Sequence, residues 1–295
     1  RWGFIMPINF ISYRRAYVDR SNFSFASAAG INDDLGISKG MSSLLGALFF
    51  LGYFLFQIPF TIYAERRSVK KLVFWCLVLW GGFASLTGVV NSIPLLAVIR
   101  FMLGIVAAAV MPALLVYISN WFTQSERSRA NTFLILGNPV TVLWMSVLSG
   151  YLIHAFGWRE MFIFEGIPAI IWAIFWWFLV KDKPQQVSWL SQGEKQALAD
   201  ALAQEQRSIK AVANYGQAFR SRNVILLCLQ YFTWSIGVYG FVLWLPSILR
   251  AGKSMGMVEA GWLSSAPYLA ATLAMILVSW ASDKMQNRKL FIWPL

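Results

Sequence analysis

Long apolar stretches constrain this chain more than any other feature. Eight stretches of about 20 residues or more follow one another, and about 20 mostly apolar residues suffice for a helix to cross a bilayer. Composition agrees, because 58% of residues are hydrophobic and only 13% are charged. We therefore predict an all-α protein that crosses a membrane repeatedly. The predicted spans are Phe4–Phe25, Met41–Tyr63, Leu72–Asn91, Pro94–Ser119, Ala130–Ile153, Met161–Val180, Asn223–Leu249 and Ala260–Ala281.

Both ends of the chain suggest a longer protein. The sequence begins at Arg1 without a methionine, and a ninth apolar stretch begins near Leu290 and continues to Leu295. We therefore expect this chain to be a fragment.

The distribution of Lys and Arg predicts the orientation in the membrane. With the N-terminus inside, 17 of the 25 basic residues fall in cytoplasmic segments, four in outer segments and four within spans. Cytoplasmic loops of membrane proteins carry this excess. The net charge of +12 is therefore explained by topology, without nucleic acid as a partner.

A polar segment from Lys181 to Arg222 divides the spans. Within it, Ser191 followed by Glu194 is typical of a capping box, which predicts a short amphipathic helix from about Gln192 to Gln206. We predict three parts: a six-span bundle at residues 1–180, a cytoplasmic linker at 181–222 and a partial second bundle at 223–295.

A weak repeat relates the two halves. Glu65 and Arg66 follow the second span, and Asp283 and Lys284 follow the eighth, with the two acids 218 residues apart. Parallel six-span halves resemble the arrangement of major facilitator transporters. An acid beside bases at these ends suggests a gate that latches neighbouring helices, although topology alone would explain the bases.

Three charged residues inside spans are candidates for function. Asp19 lies roughly 22 Å above the start of the first span, and Arg100 lies about 9 Å below the outer end of the fourth, in a core about 30 Å thick. These depths agree, so Asp19, Arg20 and Arg100 could meet at one level. Arginine binds carboxylates, and a neighbouring aspartate could exchange a proton. The alternative is an ion pair that only packs the spans together.

Weaker candidates lie on other spans. Tyr53 is one polar residue of the second span, and Asn138 stands between a glycine and a proline on the fifth, where a helix is expected to kink. Packing is the alternative for each. Glu165, near the outer end of the sixth span, could be solvated at the interface or take part in coupling. The sequence contains no recognisable soluble-enzyme motif, so we expect neither an enzyme nor a bound metal or cofactor.

Several motifs resemble the anion:cation symporters, a branch of the major facilitator transporters. They are Tyr17-Val18-Asp19-Arg20-Ser21-Asn22, Arg100-Phe101-Met102-Leu103-Gly104, Asn120-Trp121-Phe122, Glu126-Arg127-Ser128-Arg129-Ala130, Phe156-Gly157-Trp158-Arg159 and Phe162-Ile163-Phe164-Glu165-Gly166. The resemblance implies proton-coupled uptake of a small organic anion, such as a hexuronate or an aldonate, across a bacterial inner membrane.

The same resemblance implies roles for individual residues. Asp19 would take the proton, Arg100 would pair with it, and Arg20, Tyr53 and Asn138 would contact the substrate.

The sequence departs from that family in three places. Alanine stands at Ala107, where relatives commonly have a glutamate, which leaves the coupling stoichiometry open. Arg14 and Arg15 occupy positions that are usually small or apolar, and such charges are costly in a membrane unless they face a cavity. The second half has only two complete predicted spans.

Two other functions remain open from the sequence. One is a drug or cation exporter on the same fold, although substrate-facing arginines count against it. The other is an inactive truncated permease, which Ala107 and the short second half would favour. We expect a small carboxylate, protons and lipid as partners, and a monomer, although nothing in the sequence fixes the oligomeric state.

Overall fold

Twelve α-helices account for most of the residues that the computed structural model describes. Those residues are 1–208, 221–253 and 255–285, and within them the side chains of 16, 17, 19–21, 206–208, 252, 253, 279, 280 and 282–284 are not described. The helices are α1 (Trp2–Tyr17), α2 (Asp19–Ala29), α3 (Ile31–Asp34), α4 (Lys39–Arg66), α5 (Val69–Val89), α6 (Ile93–Trp121), α7 (Gln124–Ile135), α8 (Gly137–Phe156), α9 (Trp158–Leu179), α10 (Gln192–Ser208), α11 (Arg222–Lys253) and α12 (Met257–Met285), with a short 3-10 turn at Pro184–Gln186.

Seven of the eight predicted spans correspond to helical segments that are long and apolar enough to cross a membrane. Helices α7 and α8 together form one of them, and they meet at Leu136. The first predicted span is instead two shorter helices, α1 and α2, which meet at Val18. The start of the ninth lies outside the described residues.

Polar contacts mark the two ends of the bundle. At the end that carries α10, here called the linker end, Arg1 pairs with Glu126, and the carboxylate of Asp182 accepts hydrogen bonds from the first turn of α5. At the opposite, distal end, Trp158 Nε1 donates to Asp34 at 2.7 Å. The helix ends that meet in these contacts show that the long helices run alternately up and down between the two ends.

Glycines permit the closest helix crossings. A Cβ built at Gly104 of α6 would lie 1.9 Å from the Phe49 carbonyl oxygen of α4, and one at Gly52 would lie 2.5 Å from the Phe101 carbonyl oxygen. Helices α5 and α9 cross in the same way at Gly81. Small residues allow such backbone contact in lipid, where apolar burial gives helices no net attraction. The crossing of α4 and α6 places Arg100 beside α4.

The predicted linker helix is confirmed as α10. Its capping box forms, because the Glu194 amide donates to Ser191 Oγ at 3.3 Å and the Ser191 amide donates to the Glu194 carboxylate at 2.9 Å. This backbone hydrogen bond, together with one from the Ser191 hydroxyl, lowers the pKa of Glu194. The division of the chain at residues 180 and 222 stays a prediction.

The linker helix is fastened to the first six spans by Glu205. Its carboxylate accepts a hydrogen bond from the Gln124 amide at 2.8 Å and pairs with Arg127 at 3.4 Å. Arg127 also donates to carbonyls of α6, those of Phe122 and Ser119. One acid therefore caps the N-terminus of α7 and holds α10 against the bundle.

Candidate functional site

Arg100 is the most deeply buried arginine whose side chain is described. The residue is 1% exposed, and its guanidinium carbon lies 4.4 Å from the ring centre of Phe23 on α2 and 5.0 Å from that of Phe49 on α4. Both distances fall in the range of cation–π interactions. A permanent positive charge is thus held in the apolar interior where three helices meet.

The structure supports the predicted meeting of the first and fourth spans. Phe23, which contacts Arg100, comes one helical turn after Asp19 on α2. Helix periodicity places position 19 on the same face of α2 as Phe23. The side chains of Asp19 and Arg20 lie outside the described part, so their pairing with Arg100 stays a prediction.

Tyr53 lies one turn beyond Phe49 on α4. The two rings are stacked, with 6.5 Å between their centres, so Tyr53 belongs to the aromatic group around Arg100. The neighbouring Phe50 packs on Tyr239 of α11 at 4.7 Å. This part of α4 therefore faces the second half, and a substrate contact by Tyr53 stays a prediction.

Asn138 lines a cavity of about 640 Å³ between α8 of the first half and α11 and α12 of the second. Its Oδ1 is buried and accepts no hydrogen bond from any described group. An unsatisfied buried acceptor is costly, which makes Asn138 suitable as a ligand contact. The lining is otherwise mostly apolar and includes Thr233, Trp234, Phe241 and Tyr268.

Contacts between the two halves lie on the distal side of this cavity. The guanidinium of Arg250 on α11 donates to the carbonyl of Ala28 at the C-terminus of α2. Helices α8 and α12 cross at two glycines, where a Cβ on Gly150 would lie 2.7 Å from the Met257 carbonyl oxygen and one on Gly261 would lie 2.6 Å from that of Ser146. The cavity residues lie on the linker side of this crossing in both helices.

The predicted gating residues lie at the linker end. Glu65 and Arg66 are exposed at the end of α4, and Glu65 lines a cavity of about 670 Å³ together with Arg127, Lys183 and Glu205. Asp283 and Lys284 belong to α12, but their side chains are not described, so a latch between the pairs stays a prediction.

Glu165 lies inside the first bundle, which favours a role there over solvation at the interface. It is 4% exposed, and Ser149 of α8 donates a hydrogen bond to its Oε1 at 2.8 Å. Arg15 of α1 attracts it electrostatically. The sequence had left open whether Glu165 is solvated at the interface or takes part in coupling.

Arg14 is a residue whose environment the sequence did not reveal. Its guanidinium carbon lies 5.2 Å from the ring centre of Phe10 and 5.1 Å from that of Trp144 on α8. Nothing in the sequence connects positions 14 and 144, although the unusual arginine pair in a span was a signal. Ala107, where relatives commonly have an acid, is buried in α6. The described residues contain no group of three potential metal ligands.

Comparison with known proteins agrees with this architecture. The sequence pattern of the Major Facilitator Superfamily matches residues 10–295. Among solved structures, a bacterial homologue of the human lysosomal transporter Spinster, in its inward-facing and unoccupied conformation, superposes with a TM-score of 0.72 at 18% identity. The match covers 96% of this chain and 62% of that structure.

Relatives of known name are named for different transported compounds. A protein of Agrobacterium vitis named for tartrate transport is 30% identical over 96% of this chain. A quinolone resistance transporter of Acinetobacter baumannii is 27% identical over 96% of it. The chain spans 67% of the length of each.

Proposed function

Because the chain belongs to the Major Facilitator Superfamily, we propose that it carries a small organic anion across a membrane together with protons. The substrate class is a hydroxylated carboxylate, either a sugar acid or a compound such as tartrate. The seven membrane-length helical segments among the described residues make it a multi-pass membrane protein. The proposed location is a bacterial inner membrane, with the N-terminus and the linker end in the cytoplasm.

Arg100 is the observation that carries this proposal. An arginine buried in the apolar interior is expensive unless it serves an anion or an acid. Its aromatic contacts hold the flat guanidinium in one orientation while its edge remains suited to a carboxylate. A lipophilic cation would be repelled by the same charge.

Proton coupling is assigned to Asp19. An aspartate near a buried arginine stays ionised while it is the arginine's only anionic partner, and it gains a proton when a substrate carboxylate binds the arginine and neutralises its charge. Substrate and proton would then neutralise the site together. Arg20 and Tyr53 are the proposed substrate contacts on the first half, and Asn138 is the proposed contact beside the cavity.

Alternating access follows from the way the two halves meet. The distal contacts between α2 and α11 and between α8 and α12 would open, and the linker end would close, when the binding site turns outward. The acid–base pairs at Glu65–Arg66, which is exposed, and at Asp283–Lys284 are the proposed latch for that second state. Helix α10, fastened by Glu205, would move with the first half.

A drug exporter on the same fold is a second candidate. The lining of the large cavity is mostly apolar, with Trp234, Phe241 and Tyr268, and one relative is named for quinolone resistance. The two candidates differ in the charge of their substrate. Arg100 would attract the organic anion of the first and repel the lipophilic cation of the second.

Transport assays in proteoliposomes can separate the two candidates. Vesicles containing the protein are given radiolabelled tartrate, radiolabelled gluconate or a fluorescent lipophilic cation, with an imposed pH gradient. The proposal predicts accumulation of one of the acids, and its loss in Arg20→Ala and Asp19→Asn. Movement of the cation alone, or normal acid uptake by both variants, would refute the site assignment.

A further inference from the structure

Two adjacent cavities lie on the distal side of Arg100. The inner cavity, of about 100 Å³, is lined by Phe23, whose ring contacts the Arg100 guanidinium. The distal cavity, of about 390 Å³, is lined by Asp33, Lys39 and Arg250. Four residues line both cavities, namely Ser27, Ser42, Trp244 and Ser247. The two cavities, together called the serine cleft, therefore extend from the distal end of the bundle to the ring that contacts Arg100.

The two walls of the serine cleft belong to different halves. Ser27 of α2 accepts a hydrogen bond from Asn32 Nδ2 at 2.8 Å, and its hydroxyl lies 3.4 Å from that of Ser42 on α4, so these groups form one wall within the first half. Trp244 and Ser247 of α11 lie on the other wall. Polar groups inside a membrane face the bundle interior or an aqueous cavity and mark substrate pathways. Hydroxyl groups on both walls make the cleft suitable for a hydrated anion once the halves separate.

Arg250 connects the two walls at their distal end. Its guanidinium donates to the Ala28 carbonyl of α2. That carbonyl is among the last four of its helix, which have no partner within the helix, and a cation is stabilised at such a C-terminus. An ionised carboxylate is a stronger acceptor for a guanidinium than a neutral carbonyl is. A carboxylate that enters the distal cavity can therefore displace the Ala28 carbonyl from Arg250.

The charges around the distal cavity favour an anion. The predicted outer segments contain only four basic residues, and two of them, Lys39 and Arg250, line this one cavity. Asp33 is the acid among its lining residues, whereas the neighbouring Asp34 accepts a hydrogen bond from Trp158 Nε1. The residues that line the cavity therefore carry a net positive charge.

We propose that the distal cavity is a first docking site for the anionic substrate, and that a carboxylate bound by Arg250 releases the contact between α11 and α2. The inference rests on the proposed function and adds to it the place where the substrate is captured. The carboxylate replaces the Ala28 carbonyl, the halves separate along the serine cleft, and the anion passes Phe23 to reach Arg100. A neutral analogue leaves the contact closed.

Thiol labelling from the distal side tests this proposal. Ser247→Cys places a reporter one turn inside Arg250, in a protein whose exposed native thiol is removed by Cys228→Ser. Right-side-out membrane vesicles are treated with a membrane-impermeant methanethiosulfonate reagent, alone, with tartrate, or with threitol, in which hydroxymethyl groups replace both carboxylates. Tartrate should raise the labelling rate and threitol should not. Acid uptake by the Ser247→Cys protein should be lost after labelling, because the attached group fills the cleft.

Two variants of Arg250 measure how firmly it holds the cleft closed. The labelling rate follows the population of the open state, so Arg250→Gln should raise the rate without substrate about 10- to 100-fold, the value of a hydrogen bond from a charged donor. Tartrate should raise that rate little further. Arg250→Lys keeps the charge but not the planar fork, so it should give an intermediate rate, and it provides a folded variant if glutamine does not permit folding.

Arg159→Gln is the matched control. Arg159 is another arginine at the distal end that donates to backbone carbonyls, but those of Gly88 and Val90 belong to the same half as Arg159 itself. Its removal takes away the same charge without removing a contact between the halves. The labelling rate of Ser247→Cys should therefore be the same with and without Arg159→Gln.

Several results would overturn the inference. Equal labelling rates in Arg250→Gln and Arg159→Gln would show that Arg250 does not hold the cleft closed. Equal effects of tartrate and threitol, or a tartrate effect as large in Arg250→Gln as in the unmodified protein, would refute capture by a carboxylate. Acid uptake that survives labelling of Ser247→Cys would exclude the cleft as the route while the proposed function stands. Absence of acid uptake by the unmodified protein would refute the proposed function and the inference with it.

Discussion

The crossing of α8 and α12 offers a direct way to shift the protein between its two proposed states. Gly261 of α12 belongs to the second half, and Ser146 of α8 belongs to the first. A Cβ at position 261 would lie 2.6 Å from the Ser146 carbonyl oxygen, whereas ordinary contact begins at 3.4 Å. Gly261→Ala therefore forces the halves apart by up to 0.8 Å at this point, or displaces one helix.

The size of the effect follows from the cost of overpacking. Extra carbon atoms in a close-packed contact typically cost about 1–3 kcal/mol. Because the overlap exists only while the distal side is closed, this cost falls on one of the two states. The ratio of distal-open to distal-closed protein should then rise about 5- to 150-fold.

Pulsed electron paramagnetic resonance can measure this shift. Spin labels are placed at the exposed positions Lys39 and Glu259, which lie near the distal end on opposite halves. Gly261→Ala should move the distance distribution toward longer values. Gly240→Ala is the matched control, because a Cβ there meets nothing within 4 Å.

An unchanged distance distribution in Gly261→Ala would refute the reasoning. It would mean that the close crossing does not distinguish the states, or that the halves do not separate there. A longer distance in both glycine variants would also contradict it, since the control creates no overlap.

Three further predictions concern single contacts. Glu205→Gln should speed hydrogen exchange of the first amides of α7 up to about tenfold, because it weakens the cap that α10 supplies. Asp200→Asn, on the same helix, should leave that exchange unchanged. Equal exchange rates in the two variants would contradict the role of Glu205 in fastening α10. Asn138→Leu should raise the free energy of unfolding by about 1 kcal/mol, because it removes an unsatisfied acceptor, and it should abolish acid binding, because it removes a proposed substrate contact. Lower stability in thermal unfolding would show that Asn138 stabilises the fold instead. Glu165→Gln should lower stability, and adding Arg15→Gln should restore part of it, with a coupling of about 0.5–3 kcal/mol in a double-mutant cycle; additive effects would show that the two side chains do not interact.

The sequence predicted the spans because the bilayer imposes a simple rule. Every backbone polar group must be paired inside lipid, so a long apolar stretch is almost always a helix of matching length. The capping box at Ser191 and Glu194 likewise acts within one turn and could be predicted locally. The break between α1 and α2 at Val18 could not be predicted in this way. Val18 itself keeps helical backbone angles, so the residue carries no local sign of a break.

For the proposed site, the sequence predicted a depth in the membrane but no side-chain contacts. Counting residues from the ends of the spans placed Arg100 level with α2, and its ring contact with Phe23 agrees with that. The same counting could not decide whether Glu165 is solvated or buried, because burial depends on the neighbouring helices and not on depth alone. The position of Arg14 between Phe10 and Trp144 depends on how α1 is rotated against α8, which no local pattern encodes.

We propose that a proton bound at Asp19 drives the uptake of a carboxylate that the arginines hold. The most direct test compares two kinds of flux in proteoliposomes for the unmodified protein and for Asp19→Asn. The proposed mechanism predicts that the variant loses uptake driven by a pH gradient but retains exchange of labelled for unlabelled tartrate, because binding survives without proton release. Gradient-driven uptake that is equal in the two proteins would contradict it.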